Sequence, residues 1–361
     1  MARLPYPKKK LRETGSQCSY GPEATQAAFL LGGIGTGNVS VGSRGELRDW
    51  EIFNRSGKGQ RMPYGFFSIA VKQGEKVETR VLEGRLVPPY AESHGFHPST
   101  TAGLPRFAHS SLSGEYPLCW VTLHDDELPI DVTFEAYTPL IPHEPDDSGL
   151  PAAALTYTVK NTGVEPIEAT IVGSITNLVG FTGVDQFGAL KTGGFGGNVN
   201  EARKEQSISG VYLHSGKHPD SDTLHGSLAL ATTNKRATAK PHWLRSGWWD
   251  ALREFWDDLQ DGALTPHGYT APSDEGKTDT ASVAATEKIE PGEEKQYRFI
   301  LAWHFPNRVR HWDQRKCCCG GECEPGTVRN RYAVRFDDAW DVARYMVDTW
   351  DHLDGMTRAF H

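Results

Sequence analysis

The segment AALTYTVKNTGVEPIEATIVGSITN, residues 153–177, decides the fold class. Leu155, Tyr157 and Val159 alternate with Thr and Lys, and after Asn161-Thr162-Gly163 the alternation resumes at Ile167, Ala169 and Ile171. A period of two means a strand with one buried face, and Asn and Gly between two such runs supply turn chemistry, so the spacing predicts a long hairpin. LCWVTLHDDELPIDVTFEAYTPL, residues 118–140, repeats the pattern with Asp125-Asp126-Glu127 at the tip. TASVAATEKIEPGEEKQYRFILAWHF, residues 280–305, repeats it again with Pro291-Gly292 as the turn. Three such units predict a mainly β chain: a large antiparallel β-sandwich, two sheets face to face, with a few helices.

Two segments break the period. In SGWWDALREFWDDLQDG, residues 246–262, Trp248, Trp249, Leu252, Phe255, Trp256 and Leu259 fall at helical spacing before Gly262. That is an amphipathic helix with a glycine stop. In FDDAWDVARYMVDTWDHLDGMTRAF, residues 336–360, Trp340, Ala343, Met346, Trp350 and Leu353 recur every three or four residues. One helix is expected to start at Asp337 or Asp338 and run nearly to the last residue, towards further helices. The expected organisation is an N-terminal arm over 1–22, a sandwich over 23–335, and a helical linker or first helix over 336–361. Residues 188–210 and 265–282 hold polar or glycine-rich loops longer than a sandwich needs, and such loops commonly bind something.

The 361 residues carry a formal charge of -8, and the densest basic run is Lys8-Lys9-Lys10. Such a chain has no field for a polyanion, so nucleic acid is not an expected partner. The start, MARLPYPKKKLRET, lacks the apolar core of a secretory signal, and the uncharged stretch before Arg44 is too rich in glycine for a membrane helix. A cytoplasmic location without a membrane span is expected. Cys18 and Cys119 are isolated, while CCCGGEC packs Cys317, Cys318, Cys319 and Cys323 together. Adjacent cysteines fit neither a disulfide framework nor a zinc ribbon.

The sequence carries few signatures of reaction chemistry. Gly33-Ile34-Gly35-Thr36-Gly37 is followed by β-type residues, not by the helix whose N-terminus would hold a pyrophosphate. Its glycines are better read as allowing close backbone approach. No Walker sequence, nucleophile elbow or HExxH occurs, and the histidines are scattered, with His94 and His97, and His214 and His218, spaced for shared loops. No metal and no cofactor are expected. Glu46, Asp49 and Glu51 are the best paired carboxylates; on a strand, Asp49 and Glu51 would share a face about 7 Å apart with Trp50 opposite. Glycosidic acid/base pairs straddle the sugar from different elements, so these do not make a complete pair.

Five blocks, in order, carry a family resemblance: GGIGTGNVSVGSRGELRDWEIFNRSGKG (32–59), MPYGFFSI (62–69), WWDALREFWDDLQDGAL (248–264), LAWHFPNR (301–308) and NRYAVRFDDAWDVARYM (330–346). Together they resemble the N-terminal region of glycoside hydrolase family 116, the β-glucosidases of the bile-acid β-glucosidase or non-lysosomal glucosylceramidase type. The resemblance implies a β-sandwich packed on a helical (α/α)6 catalytic domain. It implies retaining hydrolysis of a β-glucoside by a Glu nucleophile and an Asp acid/base, both on the helical domain. No catalytic residue is therefore expected in this chain. Asp49, Trp50, Asn54 and Arg55 are the candidate substrate-binding residues on a loop lent to the cleft, with Trp50 stacking on a sugar and the polar groups bonding hydroxyls. Against this stand three alternatives: Arg55 and the acids pairing across an interdomain surface, a free-standing carbohydrate-binding module, and a purely structural subunit.

Overall fold

The computed structural model describes residues 17–88, 100–186, 189–246, 250–262, 264–310 and 326–361, with Pro7, Lys9 and Gly15. Among these residues the chain forms two large sheets. The nine-stranded sheet runs, edge to edge, Ser19–Tyr20, His109–Glu115, Leu118–His124, Ile130–Tyr137, Ala152–Asn161, Glu294–His304, Ser227–Thr232, Ser209–Ser215 and Asn198–Lys204. The six-stranded sheet runs Ala237–Lys240, Thr280–Ile289, Ile167–Thr176, Phe66–Gln73, Lys76–Gly84 and Arg106–Phe107. Apart from the parallel pairing of the last two, every pair is antiparallel. The sheets meet through one core in which Phe67 packs on Tyr157 and Phe299. The antiparallel two-sheet sandwich expected from the alternation is present.

The pairing inside it differs from three hairpins. Only the 118–140 unit is one, with His124 opposite Asp131. Ala152–Asn161 pairs with Ile130–Tyr137 and Glu294–His304, whereas Ile167–Thr176 pairs with Thr280–Ile289 and Phe66–Gln73. The chain thus leaves one sheet after Asn161 and enters the other, and does the same between Ile289 and Glu294. These are two arches lying side by side, each strand of one pairing with a strand of the other. The alternation was read correctly but its partner was not: Leu155 and Ile171 face the same core whether their strands are hydrogen-bonded or stacked.

Asn161 locks the arches together. It is fully buried, and its Nδ2 donates to Glu165 O at 2.8 Å and Ile289 O at 3.0 Å. Its Oδ1 accepts from Gly163 N, while its backbone pairs with Glu293 and Gly292. A buried corner leaves backbone groups without a ladder partner, and one Asn side chain satisfies three of them.

Helices cover both outer faces. On the nine-stranded sheet, Leu228 and Leu230 point into the core while Ala229 and Ala231, with Ala152, Ala154 and Ala302, form an outer face of small side chains. Alanine there lets a helix approach the sheet closely. Helices Ala339–Asp348 and Trp350–Phe360 occupy that face through Trp340, Ala343, Met346 and Leu353. Asp338 caps the first, accepting from Asp341 N, as the sequence suggested. The expected single helix is instead interrupted at Thr349, at φ -109° and ψ 15°, where the backbone N–H and the hydroxyl both donate to Tyr345 O. On the six-stranded sheet, the expected amphipathic helix spans Asp250–Asp261 and buries Leu252, Phe255, Trp256 and Leu259. Trp248 and Trp249 lie outside the described residues.

Candidate functional site

The sequence RDWEIFNRSGKGQ departs from strand geometry where the paired-carboxylate reading needed it. The strand Leu47–Arg48 ends at Asp49, which has φ 53°, a left-handed conformation that terminates strands. Asp49 is buried and its Oδ1 accepts from Gly59 N at 2.6 Å. Glu51 Oε1 accepts from Gly57 N, and its other oxygen pairs with Lys58 at 2.8 Å. Burial works to raise the Glu51 carboxyl, but Lys58 and the Gly57 N–H outweigh it and hold it below the usual range. Both acids therefore fold the 49–60 loop back on itself and do not face each other as an acid/base pair.

Trp50 is 1% exposed. Its ring packs in the sandwich core beside Gly65, so in this chain it has no open face on which a sugar could stack. That corrects the stacking role expected for it; its neighbours Asp49 and Glu51 shape the loop, and Asn54 and Arg55 reach the surface.

Asn54 and Arg55 line a cleft of about 360 Å³. Beside them, Phe53, Ser56 and Gln60 come from the same loop, Phe181 and Gly183 from the segment after Ile167–Thr176, and Thr223 and Leu224 from the loop before Ser227. Asn307, Arg308 and Val309 come from a short ribbon formed by Asn307–Val309 and Thr327–Arg329. Phe53 anchors the loop by packing on Phe181 and Phe305 at centroid distances of 4.7 and 4.9 Å.

A set of asparagines holds these segments in register. Asn54, at φ 55°, adopts the left-handed conformation that Asn tolerates best among residues with a side chain beyond Cβ. Its Nδ2 donates to Phe305 O and Asn307 O, each at 3.0 Å. Its Oδ1 accepts from Asn330 Nδ2 at 2.9 Å. Asn307 Nδ2 donates to Asp220 O and Asp222 O, and the Tyr332 hydroxyl donates to Phe305 O. The block FNR is thus welded to HFPNR and NRYAVRF, through partners 251 to 276 positions from Asn54. Sequence reasoning singled out Asn54 and missed Asn307, Asn330 and Tyr332. The signal was available, because each lies inside one of the five quoted blocks.

The Thr223 and Leu224 wall is held by His218 and Asp222. His218 is buried; its Nε2 lies 2.8 Å from Gly194 O and its Nδ1 3.0 Å from Asp222 Oδ2. Burial tends to raise the Asp222 carboxyl, but the Leu224 N–H and the His218 ring prevail and lower it. His214 turns away to Glu201 at 3.1 Å, so the two histidines do not share a cleft. His94, His97 and the cysteines 317–323 lie outside the described residues.

Electrostatically the cleft is distinct from the molecule around it. Its lining includes two arginines and no Asp or Glu among the described residues, in a chain of net charge -8. Arg55 donates to Thr182 O at 2.6 Å and makes no ion pair among the described residues. The glycine loop preceding this region has the structural role expected of it. Gly37 has φ 83°, and a Cβ there would lie 2.5 Å from Glu51 O, so only glycine allows this approach behind the 49–60 loop. Among the described residues no cluster of His, Cys, Asp and Glu is spaced to hold a metal, and no helix is long and apolar enough to cross a membrane.

A protein family described as beta-glucosidase 2, glycosyl-hydrolase family 116 N-term, matches residues 28–353. Among solved structures, similarity is found to a "Putative kojibiose phosphorylase from human microbiome", 7% identical with a TM-score of 0.29, covering 77% of this chain and 24% of the other. A polysaccharide lyase is 11% identical with a TM-score of 0.31, covering 77% of this chain and 32% of the other. This chain spans about a quarter to a third of those two proteins. Similarity at that level fixes neither a shared fold nor a shared activity.

Proposed function

The chain belongs to the glycoside hydrolase family 116 N-terminal family, and from that membership we propose that it is the β-sandwich part of a retaining β-glucosidase of glucosylceramidase type. In this reading the sandwich supports a helical (α/α)6 catalytic domain, in the same polypeptide or in a second one. The Asn54–Arg55 edge of the cleft is its contribution to the substrate-binding region, and hydrolysis is carried out by carboxylates of the helical part acting on a β-glucoside. A cytoplasmic setting belongs to the same proposal.

The observation that carries this reading is the family match over residues 28–353. It is supported by the convergence of three motif blocks on the cleft, which gives them a common structural purpose. Asn54 and Asn330 hold it rigid, and Arg55 keeps donors directed outward. Rigid polar donors beside apolar side chains such as Leu224 and Val309 are the usual composition of a ligand-binding cleft. The chemistry of the candidate loop is recognition: its two acids are consumed by backbone N–H groups and a lysine.

The test is the structure of the assembled enzyme with glucose bound. Asn54 and Arg55 should border the occupied cleft. A 49–60 loop remote from the sugar would leave the chain a supporting subunit only and remove the substrate-binding role.

A further inference from the structure

We infer that the cleft of about 360 Å³ takes the apolar aglycone of the β-glucoside, an aryl ring or an alkyl chain, and not the glucose ring. The inference rests on the reading above in taking the substrate to be a β-glucoside. It adds which half of that substrate the sandwich recognises: the group beyond the glycosidic oxygen.

The polar side chains around the cleft are mostly committed already. Asn54 spends both Nδ2 hydrogens on Phe305 O and Asn307 O, and Asn307 spends both of its own on Asp220 O and Asp222 O. Gln60 Oε1 is shielded from solvent, so it offers a ligand nothing. The lining holds no Asp or Glu among the described residues, and those are the acceptors that bind hydroxyls most strongly. A glucose ring carries several hydroxyls, each both donor and acceptor, and each one that leaves water without a partner is penalised. The hydroxyls of Ser56 and Thr223 and the outer edge of Arg55 are what remains, too few to enclose such a ring.

The apolar part of the lining, by contrast, is continuous with the core. Phe53 and Phe181 are buried members of that core and pack ring on ring at 4.7 Å. Leu224 and Val309 are only half-buried, which leaves apolar surface for a ligand. Both are held before a ligand arrives: Leu224 N donates to Asp222 Oδ1 at 2.9 Å, and Val309 pairs with Thr327 in the ribbon. Apolar surface fixed in this way binds without an ordering cost. An apolar cavity of about 150 Å³ takes one benzene ring, so about 360 Å³ has room for an aryl group or a chain of several methylenes. Each methylene moved out of water strengthens binding about fourfold. Arg55 is exposed and uses only Nη1 within the chain, on Thr182 O, so its other donors remain for the hydroxyls of a glucosyl group bound next to the cleft.

The experiment is titration of the full 361-residue chain with n-hexyl β-D-glucoside, methyl β-D-glucoside and D-glucose, followed by amide NMR shifts. The hexyl glucoside should give saturable shifts confined to the cleft segments and bind at least about tenfold more tightly than the methyl glucoside or glucose. Leu224→Ser and Val309→Ser should each cut that preference about threefold or more while leaving the weak binding of the methyl glucoside unchanged. Equal binding of the three ligands, a preference untouched in both variants, or no saturable binding of the hexyl glucoside overturns the inference. Should one variant lower the melting temperature, the other decides; should both, hexyl-induced shifts in the wild type that lie outside the cleft segments overturn it. Hydrolysis of the methyl glucoside by the chain combined with its helical part judges the β-glucosidase reading separately. Turnover there without any hexyl preference in the titration sinks only the aglycone site, and no turnover of either glucoside sinks the reading itself.

Discussion

At the scale of single residues, the most consequential side chains are polar ones inside the protein. Asn161 satisfies three backbone groups at the corner where two arches meet. Asn161→Ala leaves Ile289 O, Glu165 O and Gly163 N without partners in a buried site, which should cost about 3 kcal/mol of unfolding free energy in a denaturant titration. A loss below about 1 kcal/mol would mean that water replaces the side chain there. His304 is the buried titrating group. Burial is the main cause that pushes its pKa down to about 4, against the Phe336 carbonyl it bonds and nearby Asp338, which act upward. With the folded value below the unfolded one, the contribution to stability is present above the ordinary histidine range. It is lost as pH falls from about 6.5 to 4, where the unfolded chain takes up a proton that the folded chain refuses. The difference in unfolding free energy between wild type and His304→Gln should therefore fall by about 3 kcal/mol over that window. A pH-independent difference would show that His304 is not kept neutral by the fold. His124 is the opposite case: exposed between Asp131 and Asp126, it is raised above the ordinary value chiefly by its hydrogen bond to Asp131. Its contribution is complete below the unfolded pKa and is lost as pH rises through the folded one, so its ring resonances in NMR should titrate later than those of a free histidine.

At the scale of elements, the helix Asp250–Asp261 is held by more than its apolar stripe. Lys240, fully buried at the edge of the six-stranded sheet, reaches Glu254 Oε1 at 3.1 Å and Asp258 Oδ2 at 2.9 Å. Removing one member of a buried ion cluster leaves the others unpaired. Lys240→Met should cost about 3 kcal/mol and raise amide exchange in this helix above that in the sheets. Exchange that rises uniformly would indicate that the helix does not depend on the lysine. The elements themselves were readable because burial imposes a period on the sequence, two in Leu155-Tyr157-Val159 and three to four in Leu252-Phe255-Trp256-Leu259. Their pairing was not. The 125–129 loop closes a hairpin, while the 162–166 loop carries a strand from one sheet to the other. The two connections have the same length, and their flanking strands bury the same kind of face. What distinguishes them is the long-range pairing of Ala152–Asn161 with Glu294–His304, which no local pattern encodes. Thr349 is similar: the three-and-four spacing continues through it, and only its backbone conformation, φ -109° and ψ 15°, marks the interruption.

At the scale of the whole molecule, the described residues stack in four layers: two helices, the nine-stranded sheet, the six-stranded sheet and one helix. The alanines on the outer face of the nine-stranded sheet explain how two helices lie so close to it. Through that face residues 339–360 pack on the sandwich by Trp340 and Met346. The candidate site was half legible. Asn54 and Arg55 do reach a cleft, while Trp50 looked like a sugar platform because sequence cannot tell a surface tryptophan from one buried behind Gly65. The remaining lining was invisible because it arrives from the 181–183, 223–224 and 307–309 segments, brought together only by tertiary packing and the asparagine bonds. We propose that this family 116 N-terminal chain works with a helical catalytic part on a β-glucoside. The most direct measurement is hydrolysis of an aryl β-glucoside by the chain alone, by the helical part alone, and by the two combined. Full activity is expected only in the combination. Turnover by this chain alone, or undiminished turnover by the helical part without it, would rule out that partnership.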